Sequence, residues 1–272
     1  MPFHPKRGFR QAIHSGDLLL GMFTRTGCGD IIEMAGFAGI DFVLIDTEHG
    51  PADGTDVRDL VRAAECAGLA PVVRPYANDP KLILRALDVG AVGIMVPHVR
   101  NRLEAENVVK AVKYYPDGDR SKCPLIRATR FTGRDWEEYR RVANEETAVI
   151  LLLEDEEAMN NVEEIASVPG VDVLFVGASD LAASMGAERD DPRVKNAITT
   201  AISVARRKGI ATHVSLRRNN PETLAYWYDQ GCRIFHFTDV ALFSDAIGGA
   251  VSTARATIKK LGASSAIKPV SA

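Results

Sequence analysis

The feature of this sequence that most constrains its fold is the alternation of short apolar runs with amphipathic segments of helical period. The runs of strand length cover residues 18–24, 42–46, 71–75, 93–99, 149–154, 173–180, 210–214 and 234–239. Between them lie segments such as DVRDLVRAAECAGL and DPKLILRALDVG, and Gly90 closes the second as a C-terminal glycine does. Eight strands that alternate with helices predict a single (β/α)8 TIM barrel of the α/β class. A doubly wound open sheet is the alternative, because the number of strands does not prove closure.

The length and composition predict a single domain with one large core. The 272 residues are 46% hydrophobic and 25% charged, and single α/β barrels commonly have this length. We expect the barrel to extend over residues 1–261, and the tail of small and polar residues, 262–272, to be disordered.

Charge, cysteine placement and hydropathy exclude several classes of function. A net charge of −3 and a pI near 6.1 provide no surplus of positive charge for binding a nucleic acid. The four cysteines form no CxxC pair and no hydrophobic leader precedes them, so we expect neither disulfides nor structural zinc, and a cytoplasmic location. No segment has the ~20 apolar residues of a membrane span, so no membrane partner is expected. Chemistry on a small molecule is the favoured function.

Polar side chains collect at the carboxyl ends of the predicted strands. The second strand, FVLID, runs directly into TEHG, and further charged or imidazole side chains end the third to sixth strands. The residues concerned are Asp46, Glu48, His49, Arg74, His98, Glu154 and Asp180. Isolated charges are costly in a core, whereas barrel enzymes place their active sites at the carboxyl ends of the strands. We therefore expect these side chains to form a site at the mouth of the barrel.

Glu154 and Asp180 are the predicted ligands of a divalent cation. They end neighbouring strands, and Mg²⁺ or Mn²⁺ prefers carboxylate oxygens, with room left for water and a chelating substrate. Glu154 taken alone could equally be a helix N-terminal charge, because it begins the acidic run EDEE. The residues before Asp180, Gly177-Ala178-Ser179, support the site, since glycine permits close approach of the backbone and its amides could hold an anion.

The order and spacing of these motifs resemble those of the HpcH/HpaI-type class II pyruvate aldolases, the metal-dependent 4-hydroxy-2-oxo acid aldolases of the citrate-lyase-like superfamily. The resemblance is carried by IDTEHG, VVRP, ALDVG, VPHV, LLLEDEEAM and VGASDL. It implies a barrel enzyme that holds Mg²⁺, Mn²⁺ or Co²⁺ on Glu154 and Asp180, and whose partners are a small-molecule 2-oxo acid and an aldehyde. It also implies a homohexamer with exchanged C-terminal helices. The apolar-striped segment 245–261 could be that helix or could cover its own barrel.

The resemblance further assigns roles to individual side chains. It implies that Arg74 lies over the keto oxygen of pyruvate, where it would stabilise the oxygen of the enolate. It implies that His49 is the acid/base, which would take the 4-hydroxyl proton during cleavage. Asp46 is expected to orient His49, and Asp88 of ALDVG is expected to approach the site of a neighbouring subunit.

The sequence departs from the family pattern in residues expected to line the substrate pocket. Phe23 stands where tryptophan is usual, and Gly177-Ala178-Ser179-Asp180 replaces Gly-Pro-Ala-Asp. The long connection between the fourth and fifth predicted strands carries Arg120-Ser121 in place of Arg-Gly. The eighth strand ends in His236-Phe237-Thr238-Asp239 rather than Val-Gly-Val-Asp. We therefore expect the reaction to be retained and the aldehyde to differ.

Several histidines and arginines have two interpretations. His213 and His236 are expected to be satisfied groups of the core. His98 can face either way, because a one-residue shift in register turns a side chain to the other face of a strand. Arg127 and Arg130, in the long connection after the fourth strand, are either carboxylate-binding residues or solvated ones.

Other functions are compatible with the sequence. One keeps the pyruvate enolate and changes the reaction to oxaloacetate decarboxylation or a related lyase step. Another is a non-catalytic pyruvate-binding barrel, which the joint presence of the predicted catalytic and metal-binding residues disfavours. A Schiff-base aldolase needs a lysine of lowered pKa in the pocket, and no lysine lies within a predicted strand.

Overall fold

The protein folds into a closed barrel of eight parallel strands that pair in sequential order, with β8 closing against β1. The computed structural model describes residues 8–133 and 135–261, so the predicted tail 262–272 lies outside it. The strands are β1 (Leu19–Thr24), β2 (Phe42–Asp46), β3 (Ala70–Arg74), β4 (Gly93–Val96), β5 (Ala148–Leu153), β6 (Val173–Val176), β7 (Ala211–Arg217) and β8 (Ile234–Thr238). The predicted TIM barrel is confirmed, and the open sheet is excluded.

The helices surround this barrel, and several of them begin or end at residues that are typical helix caps. They are α1 (Phe9–Ser15), α2 (Gly29–Phe37), α3 (Gly54–Cys66), α4 (Pro80–Asp88), α5 (Arg102–Val112), α6 (Trp136–Glu146), α7 (Glu156–Asn160), α8 (Val162–Ala166), α9 (Ala178–Ser184), α10 (Pro192–Lys208), α11 (Pro221–Asp229) and α12 (Asp239–Lys260). In α4, for example, Asp79 accepts the N–H of Lys81 at 2.7 Å, and Gly90 follows the helix at φ 109°.

Six predicted strands end at different residues in the structure: β3 and β5 end one residue earlier, and β4 ends at Val96 instead of residue 99. β6 ends at Val176, so Asp180 lies in the first turn of α9 instead of on the strand. β8 ends at Thr238, and Asp239 begins α12. β7 continues to Arg217 past an irregularity in its pairing with β8. Apolar runs mark where a strand is buried, but they do not mark where its hydrogen bonds stop.

The amino-terminal end of the barrel is closed by α1. Phe9 packs against Phe42 of β2, with ring centroids 5.4 Å apart. Asp172, which has no exposed surface, accepts hydrogen bonds from Arg10 Nε at 2.9 Å and from the Val149 N–H at 2.8 Å, and its Oδ1 lies 2.8 Å from His14 Nε2. The opposite, carboxyl end of the strands is therefore the end available for a site.

The last helix, α12, extends away from its own barrel. Its first residue, Asp239, is its only buried residue. The exposed fraction of Phe243 is 61%, and Ile247, Val251 and Ile258 are also exposed. Of the two interpretations of this apolar-striped segment, covering its own barrel is therefore wrong. None of the helices in residues 8–133 and 135–261 combines the length and hydropathy that a transmembrane helix requires.

His213 and His236 lie inside the barrel, as predicted for core groups, but His213 is only partly satisfied, because its buried Nδ1 has no hydrogen-bond partner in the described part of the chain. Both are buried, and His236 Nδ1 lies 2.8 Å from His213 Nε2, so one imidazole donates to the other. The rings of Phe23, Phe42 and Phe175 surround the pair. Burial lowers the pKa of His213 to about 3 and also lowers the pKa of His236. Both side chains are therefore neutral at pH 7.

This histidine pair predicts a loss of stability in acid. The unfolded chain binds protons near the ordinary histidine pKa of 6.5 and the native barrel does not, so the free energy of unfolding falls as the pH drops below about 6.5. Each histidine contributes a slope of up to about 1.4 kcal/mol per pH unit. In denaturant unfolding between pH 7 and 4.5, a His213→Gln/His236→Gln double variant should show a flatter pH dependence than the wild type. Equal slopes would contradict the prediction.

Candidate active site

The centre of the site is an ion pair between Asp46 and Arg74, the paired last residues of β2 and β3. Arg74 Nε donates to Asp46 Oδ1 at 2.9 Å, and Arg74 Nη2 donates to Asp46 Oδ2 at 2.8 Å. Asp46 is 1% exposed and Arg74 is 4% exposed. A buried, bidentate pair of this kind fixes the plane of the guanidinium. Arg74 is therefore held in place before any substrate arrives.

Two further carboxylates and His98 extend this pair across the mouth of the barrel. Arg74 Nη1 lies 2.7 Å from Glu48 Oε2, and His98 Nε2 lies 3.2 Å from Glu48 Oε1. His98 Nδ1 lies 3.2 Å from Glu154 Oε2, and the His98 N–H donates to that oxygen at 2.9 Å. His98 therefore faces the site, which the sequence left open. It adopts φ 55°, an uncommon conformation for a residue with a Cβ.

Glu154 is a buried carboxylate without a buried cation bound directly to it among the described residues. Burial raises its pKa to about 7, with the negative charge of Glu48 adding to the shift and the His98 N–H opposing it. Gly177 makes room for the side chain, because a Cβ at this position would lie 2.8 Å from Glu154 Cγ. A divalent cation at Glu154 would supply the missing positive charge, so the site fits a metal.

Asp180, the second predicted ligand, lies in the first turn of α9. Its side chain is exposed, as is that of Ser179, while Gly177 and Ala178 are half-buried. Over residues 8–133 and 135–261, no group of three or more His, Cys, Asp and Glu side chains is arranged to hold a metal. A cation here would depend on two carboxylates, completed by water and substrate oxygens, which hard divalent ions accept.

The predicted contact between Asp46 and the His49 imidazole is not present in the described structure. The Asp46 carboxylate is engaged by Arg74, and its Oδ1 also accepts the backbone N–H groups of Glu48 at 3.0 Å and His49 at 3.3 Å. His49 itself is exposed in the loop after β2. Asp46 thus positions Arg74 and the loop backbone, which corrects its predicted role.

The segment after β1 contributes Arg25, a site residue that sequence reasoning missed. The Phe23 ring lies beneath two guanidinium groups, with its centroid 4.8 Å from Arg74 Cζ and 5.1 Å from Arg25 Cζ. Arg25 Nε lies 3.3 Å from Asp46 Oδ2. Asp239 holds this loop, since it accepts the backbone N–H of Arg25 at 3.1 Å and the hydroxyl of Thr24 at 2.9 Å. Asp239 ended a predicted strand, and that position was the available signal.

Comparison with known proteins decides the family. The model of the HpcH/HpaI aldolase/citrate lyase family matches residues 19–234. The chain belongs to this family. The prediction made from the motifs is thus confirmed, and with it the aldolase class of enzyme.

Relatives in the HpcH/HpaI family cover most of the chain. The chain is 38% identical to a 2-dehydro-3,6-dideoxy-6-sulfogluconate aldolase of Pseudomonas putida, covering 78% of this chain and 82% of that protein. It is 40% identical to a pyruvate aldolase of Rhizobium etli, over 73% of this chain and 78% of that protein. It is 37% identical to a 4-hydroxy-2-oxo-heptane-1,7-dioate aldolase of Salmonella typhimurium, over 76% of this chain and 79% of that protein.

Solved structures have the same fold, and one of them is named for a different reaction. A HpcH/HpaI aldolase/citrate lyase family protein from Burkholderia cenocepacia superimposes with a TM-score of 0.86 at 32% identity, covering 92% of this chain and 100% of that one. The citrate synthase SbnG superimposes with a TM-score of 0.81 at 32% identity, covering 94% of this chain and 99% of that one. Because that protein is named for a different reaction, the reaction of this HpcH/HpaI chain requires a direct test.

Asp88 and Arg127 lie away from the mouth of this HpcH/HpaI barrel. Asp88 ends α4, which leads to the amino end of β4, and Arg120 Nη2 donates to it at 2.9 Å. Arg127 pairs with Glu65 and donates to the carbonyl of Val89 at 2.7 Å. Arg127 therefore does not bind the substrate carboxylate within its own chain. A role for Asp88 in a neighbouring subunit's site stays a prediction.

Proposed function

We propose that the protein is a metal-dependent class II pyruvate aldolase, which cleaves or forms 4-hydroxy-2-oxo acids from pyruvate and an aldehyde. The observation that carries this is the buried Arg74, held by Asp46 and Glu48 on the same face as the buried Glu154. Family membership and the names of the relatives support it.

The metal site of this proposal consists of Glu154 and Asp180, with Mg²⁺, Mn²⁺ or Co²⁺ as the cation. When bound, the cation supplies Lewis acidity toward the oxygens of the 2-oxo acid. Gly177, Ala178 and Ser179 are proposed to lie against the carboxylate of the 2-oxo acid. Of these, Ala178 and Ser179 begin α9, where backbone N–H groups have no acceptor within the helix.

Arg74 is proposed to stabilise the keto oxygen of pyruvate as it becomes an enolate oxygen. A guanidinium has five N–H donors, and the contacts with Asp46 and Glu48 leave donors on Nη1 and Nη2 for a substrate. Because the pair with Asp46 already fixes the group, it needs little reorganisation as charge develops. The Phe23 ring beneath the guanidinium excludes water from that side.

His49 is proposed as the acid/base at the aldehyde end, which gives a prediction. His49→Ala should lose cleavage by about 10²-fold or more, the usual contribution of a general base, and should retain pyruvate binding and proton exchange at the pyruvate methyl group. Cleavage rate and methyl exchange, followed by NMR, measure the two steps separately. Near-native cleavage would remove His49 from the mechanism.

His98 is the comparison variant for this experiment, because it is the other imidazole at the mouth. Glu48 and Glu154 hold its ring, whereas the His49 ring is exposed in its loop. If His98→Asn abolishes cleavage and His49→Ala does not, the acid/base assignment moves to His98.

The test of the reaction itself is product analysis with two sets of substrates. The enzyme, with added Mg²⁺ or Mn²⁺, is incubated with pyruvate and a panel of aldehydes, and separately with oxaloacetate. We expect aldol products to form with a higher kcat/KM than the decarboxylation of oxaloacetate. A preference for decarboxylation would favour the alternative lyase, and pyruvate binding without any turnover would indicate a non-catalytic barrel.

A Schiff-base mechanism is disfavoured by the position of the buried lysine. Burial lowers the pKa of Lys113 to about 8, which would suit a nucleophile. However, Lys113 Nζ donates to the carbonyls of Asn144 and Thr147, just before the amino end of β5. Glu154 lies past the other end of that strand. Borohydride reduction with pyruvate should therefore leave the enzyme active, and a trapped adduct would contradict the metal mechanism.

We propose the homohexamer that the family resemblance implies, with α12 exchanged between subunits; the exposed apolar face of α12 supports its burial against a neighbour. Met34 and Phe37 of α2 are exposed as well, so apolar surface is left uncovered on the barrel itself. Phe243→Asp with Ile247→Asp should reduce the mass measured by size exclusion with light scattering. A wild-type protein that is a stable monomer would refute the assembly and remove the reason to place Asp88 near a neighbouring site.

A further inference from the structure

Arg25 reaches the mouth of the barrel from the loop after β1, and Asp239 holds its backbone there. The buried Asp239 carboxylate accepts the backbone N–H groups of Arg25 and Thr26, each at 3.1 Å. It also accepts the hydroxyls of Thr24 at 2.9 Å and Thr26 at 2.7 Å. Hydrogen bonds to a charged acceptor are the strong ones, so four of them fix this loop on the barrel. The Arg25 side chain therefore starts from a fixed point.

The Arg25 guanidinium contacts the same ring and the same carboxylate as Arg74. Arg25 Cζ lies 5.1 Å from the centroid of the Phe23 ring, and Arg74 Cζ lies 4.8 Å from it. Arg25 Nε lies 3.3 Å from Asp46 Oδ2, the oxygen to which Arg74 Nη2 donates at 2.8 Å. Two guanidinium groups therefore share one buried carboxylate.

The contact between Arg25 and Asp46 is one of charge rather than of hydrogen bonding. Arg25 Nε is buried, and within the described residues no acceptor meets it with hydrogen-bond geometry, although Asp46 is close. Arg74, by contrast, donates two hydrogen bonds to the same carboxylate. Attraction between opposite charges requires no particular angle. Arg74 thus sets the orientation of the pair with Asp46, and Arg25 adds a positive charge to it.

The charges in contact with Arg74 show what this second guanidinium does. Arg74 contacts two carboxylates, Asp46 and Glu48, so these three side chains together carry one excess negative charge. A negative excess around Arg74 repels the enolate oxygen that this residue is proposed to stabilise. Arg25 brings the sum of the four charges to zero.

We propose that Arg25 is a positioning residue of the reaction: by sharing the negative charge of Asp46, it leaves the positive charge of Arg74 available to the enolate oxygen. The inference rests on the proposed aldolase function, in which Arg74 stabilises that oxygen. Arg25 needs no contact with the substrate for this role, because it acts through Asp46. Decarboxylation of oxaloacetate through the same enolate would depend on Arg25 in the same way.

The first experiment removes the charge of Arg25 and then restores it on a different side chain. With Mg²⁺ present, kcat, KM for pyruvate and exchange of the pyruvate methyl protons are measured for the wild type, Arg25→Gln and Arg25→Lys. We expect Arg25→Gln to lower kcat and methyl exchange by about tenfold, as for loss of one partly screened charge, and to change KM by less than about threefold. Arg25→Lys should recover most of the loss, because a charge contact does not need the planar fork. A lysine variant as slow as the glutamine variant would overturn the charge argument.

Arg100→Gln is the matched control, because it removes one positive charge from the same end of the barrel. Arg100 follows β4 and pairs with Asp155 rather than with Asp46, its Nε lying 2.7 Å from Asp155 Oδ2. Its kcat should stay within about twofold of the wild type, as expected for an exposed ion pair. An equal loss in Arg100→Gln and Arg25→Gln would show a general effect of charge at the mouth and would refute the specific role of Arg25.

A double-mutant cycle tests whether Arg25 acts through Asp46. In the Asp46→Asn background the negative charge that Arg25 shares is absent, so adding Arg25→Gln should cost less than about threefold in kcat. Direct contact between Arg25 and the substrate would instead cost the same tenfold in both backgrounds. That additive result would overturn the positioning role.

A binding measurement separates this inference from the proposed reaction. Oxalate is a planar dianion with the shape of the pyruvate enolate, and its calorimetric titration into the Mg²⁺-loaded protein involves no turnover. Affinity that falls about tenfold in Arg25→Gln and is kept in Arg100→Gln supports the role of Arg25 even if no product forms in any assay. Aldol turnover with an unchanged kcat in Arg25→Gln refutes that role and leaves the proposed aldolase standing.

Discussion

Replacement of Glu154 by Gln or of Asp180 by Asn is expected to lower turnover at least about a thousandfold, because each change removes a carboxylate from a site that has only two. Loss of several kcal/mol of Lewis-acid stabilisation corresponds to that factor. Chelation with EDTA should abolish activity in the same way, and Mg²⁺, Mn²⁺ or Co²⁺ should restore it. The measurement is the initial rate of aldol cleavage with and without added metal.

The control is Glu157→Gln, which removes an exposed charge from the same acidic run and should leave turnover unchanged.

Stability provides a second readout. Burial raises the pKa of Glu154 to about 7 from its ordinary value of 4.5, so its ionised form costs stability as the pH rises through this range. Glu154→Gln in the absence of metal at pH 8 should therefore have a Tm no lower than the wild type. Full activity after exhaustive chelation would contradict the metal site.

Replacement of Arg74 should have the next largest effect, a loss of kcat by about 10²-fold or more, as when one oxyanion donor is removed. Arg74→Lys should rescue only part of this, because an ammonium group cannot reproduce the bidentate contact with Asp46. Arg74→Ala also leaves the buried Asp46 with only Arg25 and two backbone N–H groups as partners, so it loses part of the roughly 3–5 kcal/mol that breaking a buried ion pair typically costs. Lysine is therefore the informative substitution.

Asp46→Asn separates positioning from direct contact with substrate. The change keeps the shape of the side chain and the Arg74 guanidinium, but it weakens the pair that fixes its plane. We expect an intermediate loss of kcat, with circular dichroism and Tm close to those of the wild type. A kcat equal to that of the wild type would show that Arg74 does not depend on Asp46, and the preorganisation argument would be wrong.

The barrel could be predicted from the sequence because its signal is local. Runs such as 42–46 and 149–154 are apolar on both faces, as only strands covered by helices are, and β2 and β5 lie there. The predicted ends of strands were less accurate than the predicted strands themselves. Asp180 and Asp239, for example, follow apolar runs and yet belong to helices. A carboxylate after an apolar run can end a strand or begin a helix, and only the surrounding hydrogen bonds decide which.

The contacts within the site could not be predicted from spacing. Glu48 bridges Arg74 and His98 because His98 adopts a left-handed backbone conformation, and no residue type in VPHV signals it. Arg25 reaches Asp46 only because Asp239, more than two hundred residues later, holds its loop. Such contacts depend on which chain segments the closed barrel brings together.

The carboxylate of Asp239 has a consequence for the behaviour of the protein in dilute solution. Asp239 is the first residue of α12, and its carboxylate accepts the backbone N–H groups of Arg25 and Thr26. A shift at the start of that helix therefore disturbs the loop whose guanidinium touches Asp46. If neighbours hold α12 in place, then dissociation loosens this loop as well. Specific activity should in that case rise with enzyme concentration until the assembly is saturated.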